Sequence, residues 1–263
     1  MTFLPHHQRT IERLIDRFKD DAHTLALLIG GSLAKGYGDE NSDVDFMLIV
    51  TDEDYARRQL DRALTYYATD LCDYPGGYVD GKSISVAFLE EVADRGSEPA
   101  RSAFEKAVVV YSRLPQLNDL LHRITTYPEA THIEKVRSFY AQVLAMQWYV
   151  GEAEKRGNPY LLLHTVSDLV LFGGRLILAH NRRLYPYHKW FLRVLENAQD
   201  KPADLLASIH ALNKNPITEN IEVLYEKVRN FRPWIEGDFS WPTQFMFDSE
   251  LNWRDSTTPV DDL

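Results

Sequence analysis

The sequence has a single cysteine and no long apolar run. Cys72 is the only cysteine among 263 residues, so an intramolecular disulfide is impossible, and we expect a protein of the reducing cytoplasm. No apolar run reaches the length that crosses a bilayer, and the first residues, MTFLPHHQRT, lack the basic-then-apolar pattern of a secretion signal. We therefore expect no membrane partner.

Positive charge is also scarce. The chain has 29 Lys and Arg against 39 Asp and Glu, which gives a net charge of −10. Proteins that bind a nucleic-acid track need clustered cations to contact the phosphates, so we expect no nucleic-acid partner. An acidic surface attracts cationic small molecules instead.

Apolar residues make up 44% of the chain, and one short apolar run leads into a glycine turn. The run Leu25 to Ile29 has the length of a buried strand, and Gly30 and Gly31 follow it. Glycines at such a position allow a tight turn and a close approach to a ligand. Ser32 then begins a short helix, whose free N–H groups and serine hydroxyl favour binding of phosphate.

Two aspartates lie at the start of the next apolar run. Ten residues separate Ser32 from Asp43, and Asp45 follows two positions later. The run from Phe46 to Val50 then indicates a second buried strand. Because side chains alternate along a strand, both carboxylates are predicted on the same face, about 6–7 Å apart. Two such oxygen donors suit Mg²⁺ held together with the phosphates of a nucleotide.

The glycine–serine turn followed by the aspartate pair resembles the signature of the nucleotidyltransferase superfamily that includes DNA polymerase β. The resemblance implies Mg²⁺-dependent transfer of a nucleoside monophosphate from a nucleoside triphosphate, with ATP expected, to an acceptor hydroxyl. It also implies that Gly31, Ser32 and Lys35 bind the nucleotide, whereas Asp43 and Asp45 are catalytic and bind the metal.

The superfamily usually has a third carboxylate on a following strand, and Asp80 is the candidate for this catalytic and metal-binding role. The competing interpretation is a hairpin turn at Asp80-Gly81, which is a strong local turn signal. If the strand instead runs through Ser85 to Ala87, the third position is not acidic and Asp43 and Asp45 bind the metal alone.

The remaining pattern predicts two domains. Helices over Asp52 to Tyr67 and Val86 to Arg95, and a strand over Val108 to Tyr111, complete an α/β nucleotidyltransferase domain at residues 1–113, a mixed sheet with flanking helices. After Pro115 only helical periodicity is found, so residues 114–263 are predicted to be an all-α helical bundle. We expect this domain to bind the acceptor substrate.

Part of the helical region resembles kanamycin nucleotidyltransferase and related aminoglycoside-modifying enzymes of antibiotic resistance. The resemblance lies in YVGEAEKRGN, from Tyr149 to Asn158, and in the long apolar helix that follows. It implies a small cationic acceptor such as an aminoglycoside and a glutamate as general base, here Glu152 with Glu154 as the alternative. Some of these relatives are dimers with shared sites, so a homodimer remains open.

Two other functions remain open. A member of the same superfamily could transfer AMP to a protein, as an antitoxin does, or the chain could bind ATP as a regulator without chemistry. A basic patch of Arg182, Arg183, His188 and Lys189 has three interpretations: contact with triphosphate, contact with an acidic partner, or cations at a helix end.

Overall fold

The computed structural model describes residues 3–254. The chain divides between Thr126 and Tyr127 into two compact units. Among the described residues, all five strands lie in the first unit, and the regular elements of the second unit are helical. The boundary predicted after residue 113 precedes the last helix of the first unit, Leu117–Thr125.

The first unit is a mixed sheet with flanking helices. Its strands have the order β3-β4-β2-β1-β5, in which β2 and β4 are parallel and the other neighbours are antiparallel. In chain order its elements are α1 (Pro5–Phe18), β1 (Thr24–Ile29), α2 (Gly31–Lys35), β2 (Val44–Val50), α3 (Asp52–Leu60), β3 (Thr65–Ala68), β4 (Val79–Ser85), α4 (Val86–Arg95), α5 (Glu98–Ser102), β5 (Val108–Ser112) and α6 (Leu117–Thr125).

Both faces of this sheet are covered, and β1 shows how. Its residues Leu27 and Ile29 point to a core that includes Ile11 of α1. Its residue Leu28 points to the opposite core, which contains the apolar residues of α4 and α6. All of these β1 side chains are fully buried, because the period of two along a strand sends alternate residues to the two helical layers. A central strand buried on both faces reads as a continuous apolar run.

One predicted element is wrong. The helix predicted over Asp52 to Tyr67 ends at Leu60, and the last part of that stretch lies in the edge strand β3, paired antiparallel with β4. Arg62 has a φ of 54°, a left-handed conformation that no α-helix continues through. Beyond it the aromatic and β-branched residues pair with a neighbouring strand, a tertiary contact that overrides the helical rhythm of the sequence.

The second unit contains six α-helices and several shorter helical turns within the described residues. The 3₁₀ turns are Glu129–Thr131, His188–Trp190 and Asn252–Arg254, and a π-helical turn covers Met246–Glu250. The α-helices are α7 (His132–Arg156), α8 (Pro159–His180), α9 (Phe191–Glu196), α10 (Leu205–Lys214), α11 (Thr218–Arg229) and α12 (Trp241–Phe245).

The long helices α7 and α8 form an antiparallel pair in the core of this unit. Gly157 ends α7 with a φ of 55°, and the Asn158 side chain then accepts a hydrogen bond from the Leu161 N–H at 3.1 Å. By length and composition α8 could cross a membrane, which corrects the expectation that no segment qualifies, but 50% of its most apolar window is buried inside the protein. A buried core helix meets the same criterion of length and composition, so one such helix is weak evidence for a membrane span.

Candidate active site

The turn after β1 lies directly against the carboxylate of Asp45. The Gly30 N–H donates to the Asp45 carbonyl oxygen at 2.9 Å, and Gly31 has a φ of 60°. A Cβ added to Gly31 would lie 1.7 Å from Asp45 Oδ2 and 2.6 Å from Asp45 Cβ. Glycine is therefore required here twice, for the left-handed backbone and for the missing side chain. The structure brings together Gly31 and Asp45 as the sequence predicts.

Asp80 lies beside Asp45 on the neighbouring strand. The two residues are Cα partners in the parallel pair β2–β4, so their side chains point to the same face of the sheet. Asp45 is half-buried and Asp80 is exposed. The hairpin interpretation of Asp80-Gly81 is therefore wrong, because both residues lie inside β4.

Gly81 has a packing role. It pairs with Phe46 of β2, and a Cβ at this position would lie 2.2 Å from Phe46 Cζ. The glycine that resembles a turn signal in the sequence instead leaves room for a buried aromatic ring.

Asp43 immediately precedes β2 and is associated with Tyr78, a residue that the sequence analysis did not single out. The Val44 N–H donates to the Tyr78 carbonyl oxygen at 3.1 Å, which ties the two segments together. The Tyr78 side chain interacts with the Asp43 carboxylate, and this interaction is the main cause of the raised pKa of Tyr78. The charges of Asp45 and Asp80 also raise that pKa. Tyr78 therefore lies within the field of all three carboxylates.

The three aspartates do not form a closed cluster. Across residues 3–254 no group of three or more His, Cys, Asp or Glu side chains is arranged to hold a metal ion. Their chemistry nevertheless fits Mg²⁺, which prefers carboxylate oxygens and usually keeps several waters and phosphate oxygens as further ligands. Asp43, Asp45 and Asp80 supply oxygen donors of this kind.

The peptide before Asp43 is fixed by two long-range hydrogen bonds. The Ser42 carbonyl oxygen lies 3.0 Å from His7 Nε2 of α1 and accepts from the Tyr74 hydroxyl at 2.9 Å. His7 is fully buried, its Nδ1 has no hydrogen-bond partner among the described residues, and burial lowers its pKa. Neutral His7 with its proton on Nε2 donates to Ser42. These contacts position Asp43.

Ser32 and Lys35 lie in the short helix α2. The Ser32 carbonyl oxygen accepts from the N–H groups of Tyr37 and Gly38 at 2.9 and 3.1 Å, which closes the helix end. The Lys35 Nζ donates to the Ser102 carbonyl oxygen at 2.8 Å, and burial lowers its pKa. Lys35 thus ties α2 to the end of α5, so a phosphate would have to compete with this contact.

Glu152 lies near the end of α7, in the second unit. Its carboxylate forms ion pairs with Lys155 and Arg156, and hydrogen bonds from both lower its pKa. A carboxylate neutralised in this way is a weak proton acceptor. The alternative, Glu154, accepts a hydrogen bond from the Thr218 hydroxyl.

Comparison with known proteins gives a family model and similar solved structures. A model for a domain of unknown function, DUF4037, matches residues 98–191, a range that is less than half of the chain and excludes Gly31 and the three aspartates. No curated protein matches. A nucleotidyltransferase-like protein from Exiguobacterium sibiricum 255-15 is similar in structure, with a TM-score of 0.48 and 13% identity over 97% of this chain and 83% of that chain.

Proposed function

We propose that the first unit transfers a nucleoside monophosphate, AMP from ATP, to the hydroxyl of an acceptor, and that it requires Mg²⁺. The observation that carries this proposal is the contact of Gly31 with the Asp45 carboxylate, with Asp80 in register on the next strand. This contact supports the proposal because it brings the proposed polyphosphate-binding turn next to a proposed metal ligand.

In this proposal the residues act by binding and by balancing charge. The Gly31–Ser32 turn holds the β- and γ-phosphates through backbone N–H groups and the serine hydroxyl. Asp43, Asp45 and Asp80 hold Mg²⁺, which when bound neutralises phosphate charge and polarises the α-phosphate. The catalytic gain comes from orientation and from fixed charges, since little covalent chemistry is required of the protein.

Tyr78 adds one requirement. Its side chain interacts with the Asp43 carboxylate, so a cation held by Asp43 would share that carboxylate with Tyr78. A phenol in that position can also donate to a phosphate oxygen. We propose that Tyr78 holds Asp43 in place before nucleotide binds.

For the acceptor we propose a small cationic molecule of the aminoglycoside class. The proposal is supported by the net charge of −10 and by the sequence resemblance of the helical region. The same resemblance proposes Glu152 as the general base, a role that requires its release from Lys155 and Arg156, because both ion pairs make the carboxylate a weak proton acceptor.

Asp45→Asn tests the transfer. We expect folding to be retained and pyrophosphate release from ATP, with Mg²⁺ and a panel of aminoglycosides, to fall about a hundredfold or more. Asp61→Asn is the matched control, because Asp61 is exposed at the end of α3. Release by Asp45→Asn at the rate of Asp61→Asn would contradict the assignment. Failure of the whole panel with the unmodified protein would reject the acceptor class.

The ion pairs of Glu152 favour a second candidate, binding of nucleotide without transfer. A candidate general base that Lys155 and Arg156 already neutralise suits a protein that binds ATP as a regulator. Calorimetry that shows ATP binding, together with no pyrophosphate release with any hydroxyl compound or protein acceptor, would support this candidate over the first.

A further inference from the structure

The second unit contains a cavity of about 380 Å³ that is rich in arginine and histidine. It is lined by the start of α7, the end of α8 and the segment after α11. Arg137, Arg182 and Arg232 contribute guanidinium groups, and Glu236 is the only acid in the lining among residues 3–254. In a chain with a net charge of −10, three arginines around one cavity indicate a site for an anion.

The arginines are not equivalent. Arg182 forms a two-pronged ion pair with Glu129, at 2.7 and 2.8 Å, so its charge is largely compensated. Neither Arg137 nor Arg232 has a carboxylate partner within residues 3–254. Most of the uncompensated positive charge of the cavity therefore belongs to Arg137 and Arg232.

Aromatic and histidine contacts hold these two side chains in place. The Arg137 guanidinium lies 5.3 Å from the ring centroid of Phe239, and that of Arg232 lies 5.8 Å from the ring centroid of Trp234. Arg232 also donates to Nδ1 of His180. A guanidinium stacked on a ring keeps its N–H edge available for an anion.

The rest of the lining is apolar. Ile133, Val136, Trp234 and Ile235 provide a wall beside the arginines. The volume falls within the range of small-molecule sites and exceeds the space that an inorganic ion fills. A ligand with an anionic group and an apolar body matches both parts of the lining.

We propose that this cavity binds a small organic phosphate, with the phosphate between Arg137 and Arg232 and the apolar body against Trp234. The cavity belongs to the second unit and the aspartates of the proposed transfer belong to the first, so this proposal does not depend on that function. Of the basic patch of the sequence, Arg182 lines the cavity, whereas Arg183, His188 and Lys189 do not.

Calorimetry with phenyl phosphate and with inorganic phosphate tests the proposal. We expect phenyl phosphate to bind more tightly than inorganic phosphate, and Arg137→Gln and Arg232→Gln each to weaken it by about tenfold or more. Arg183→Gln is the matched control, an exposed arginine outside the lining, and should bind as the unmodified protein does. Circular dichroism confirms that each variant is folded.

Three results would overturn the proposal. They are no heat with phenyl phosphate, unchanged binding in folded Arg137→Gln and Arg232→Gln, and equal weakening by Arg183→Gln. Equal affinity for the two probes would reject the apolar part of the ligand class.

Discussion

Replacing Gly31 by alanine is the most direct test of the candidate active site. The added methyl group meets two obstacles: a backbone at a φ of 60° and an Asp45 carboxylate whose nearest oxygen is 1.7 Å away. Rotating the end of the Asp45 side chain does not remove the conflict, because its Cβ is also within 2.6 Å. Either the turn or β2 must therefore move.

The loss of stability expected for Gly31→Ala has two parts. A left-handed conformation costs a non-glycine residue about 1–2 kcal/mol. Forcing an extra methyl group into a filled site costs about 1–3 kcal/mol more. We expect Gly31→Ala to lower the free energy of unfolding by about 2–5 kcal/mol, measured by urea denaturation followed by circular dichroism.

Gly76 offers a matched control. It has a φ of 71°, but a Cβ added there has no atom within 4 Å. Gly76→Ala therefore carries the backbone cost without the steric conflict, and both variants lower the entropy of the unfolded chain equally. Gly31→Ala should be the less stable of the two and, under folding conditions, should lose ATP binding while Gly76→Ala keeps it.

The outcome that refutes this reasoning is specific. If the two variants unfold at the same urea concentration and bind ATP equally, Gly31 does not lie against Asp45 in solution. The geometric basis of the proposed transfer then fails.

Three further predictions concern the same unit. Gly81→Ala should cost about 1–3 kcal/mol because of the Phe46 ring, and adding Phe46→Leu should recover part of that loss in a urea double-mutant cycle. Ser85→Ala should cost about 1 kcal/mol in thermal unfolding, because the Ser85 hydroxyl accepts from the Phe88 N–H at the start of α4; no loss would contradict the cap. Burial lowers the pKa of His7 below 6.5 despite the hydrogen bond with Ser42 and the charge of Asp39, which both raise it. The unfolded chain therefore takes up the proton first, and stability should fall as pH drops through about 6.5. His7→Gln should flatten this dependence in urea titrations, and an unchanged slope would contradict it.

The sequence predicted those parts of the site that depend on local chain geometry. Gly31 and Asp45 meet because two consecutive apolar strands pair antiparallel, and the sequence spacing contains that information. Asp80 could be proposed from its place in an extended segment. Its register with Asp45 depends on a parallel pairing that no local pattern specifies.

Contacts between distant residues could not be predicted. His7 and Ser42 are 35 positions apart, and only the packing of α1 on the sheet makes them neighbours. Tyr78 gave no signal beyond being an aromatic residue beside a candidate strand. The ion pairs of Glu152 are different, since Lys155 and Arg156 follow it at helical spacing and this pairing could have been read from the sequence.

The parallel pairing of β2 with β4 implies an order in which the candidate site assembles during synthesis. β1 and β2 are close in sequence, so a nascent chain can join them soon after β2 leaves the ribosome, whereas β4 has to emerge later and cross over. The contact of Gly31 with Asp45 closes a short loop of chain, whereas the register of Asp45 with Asp80 closes a longer one. The part of the candidate site that includes Asp80 therefore costs more chain entropy to form than the part that includes Gly31.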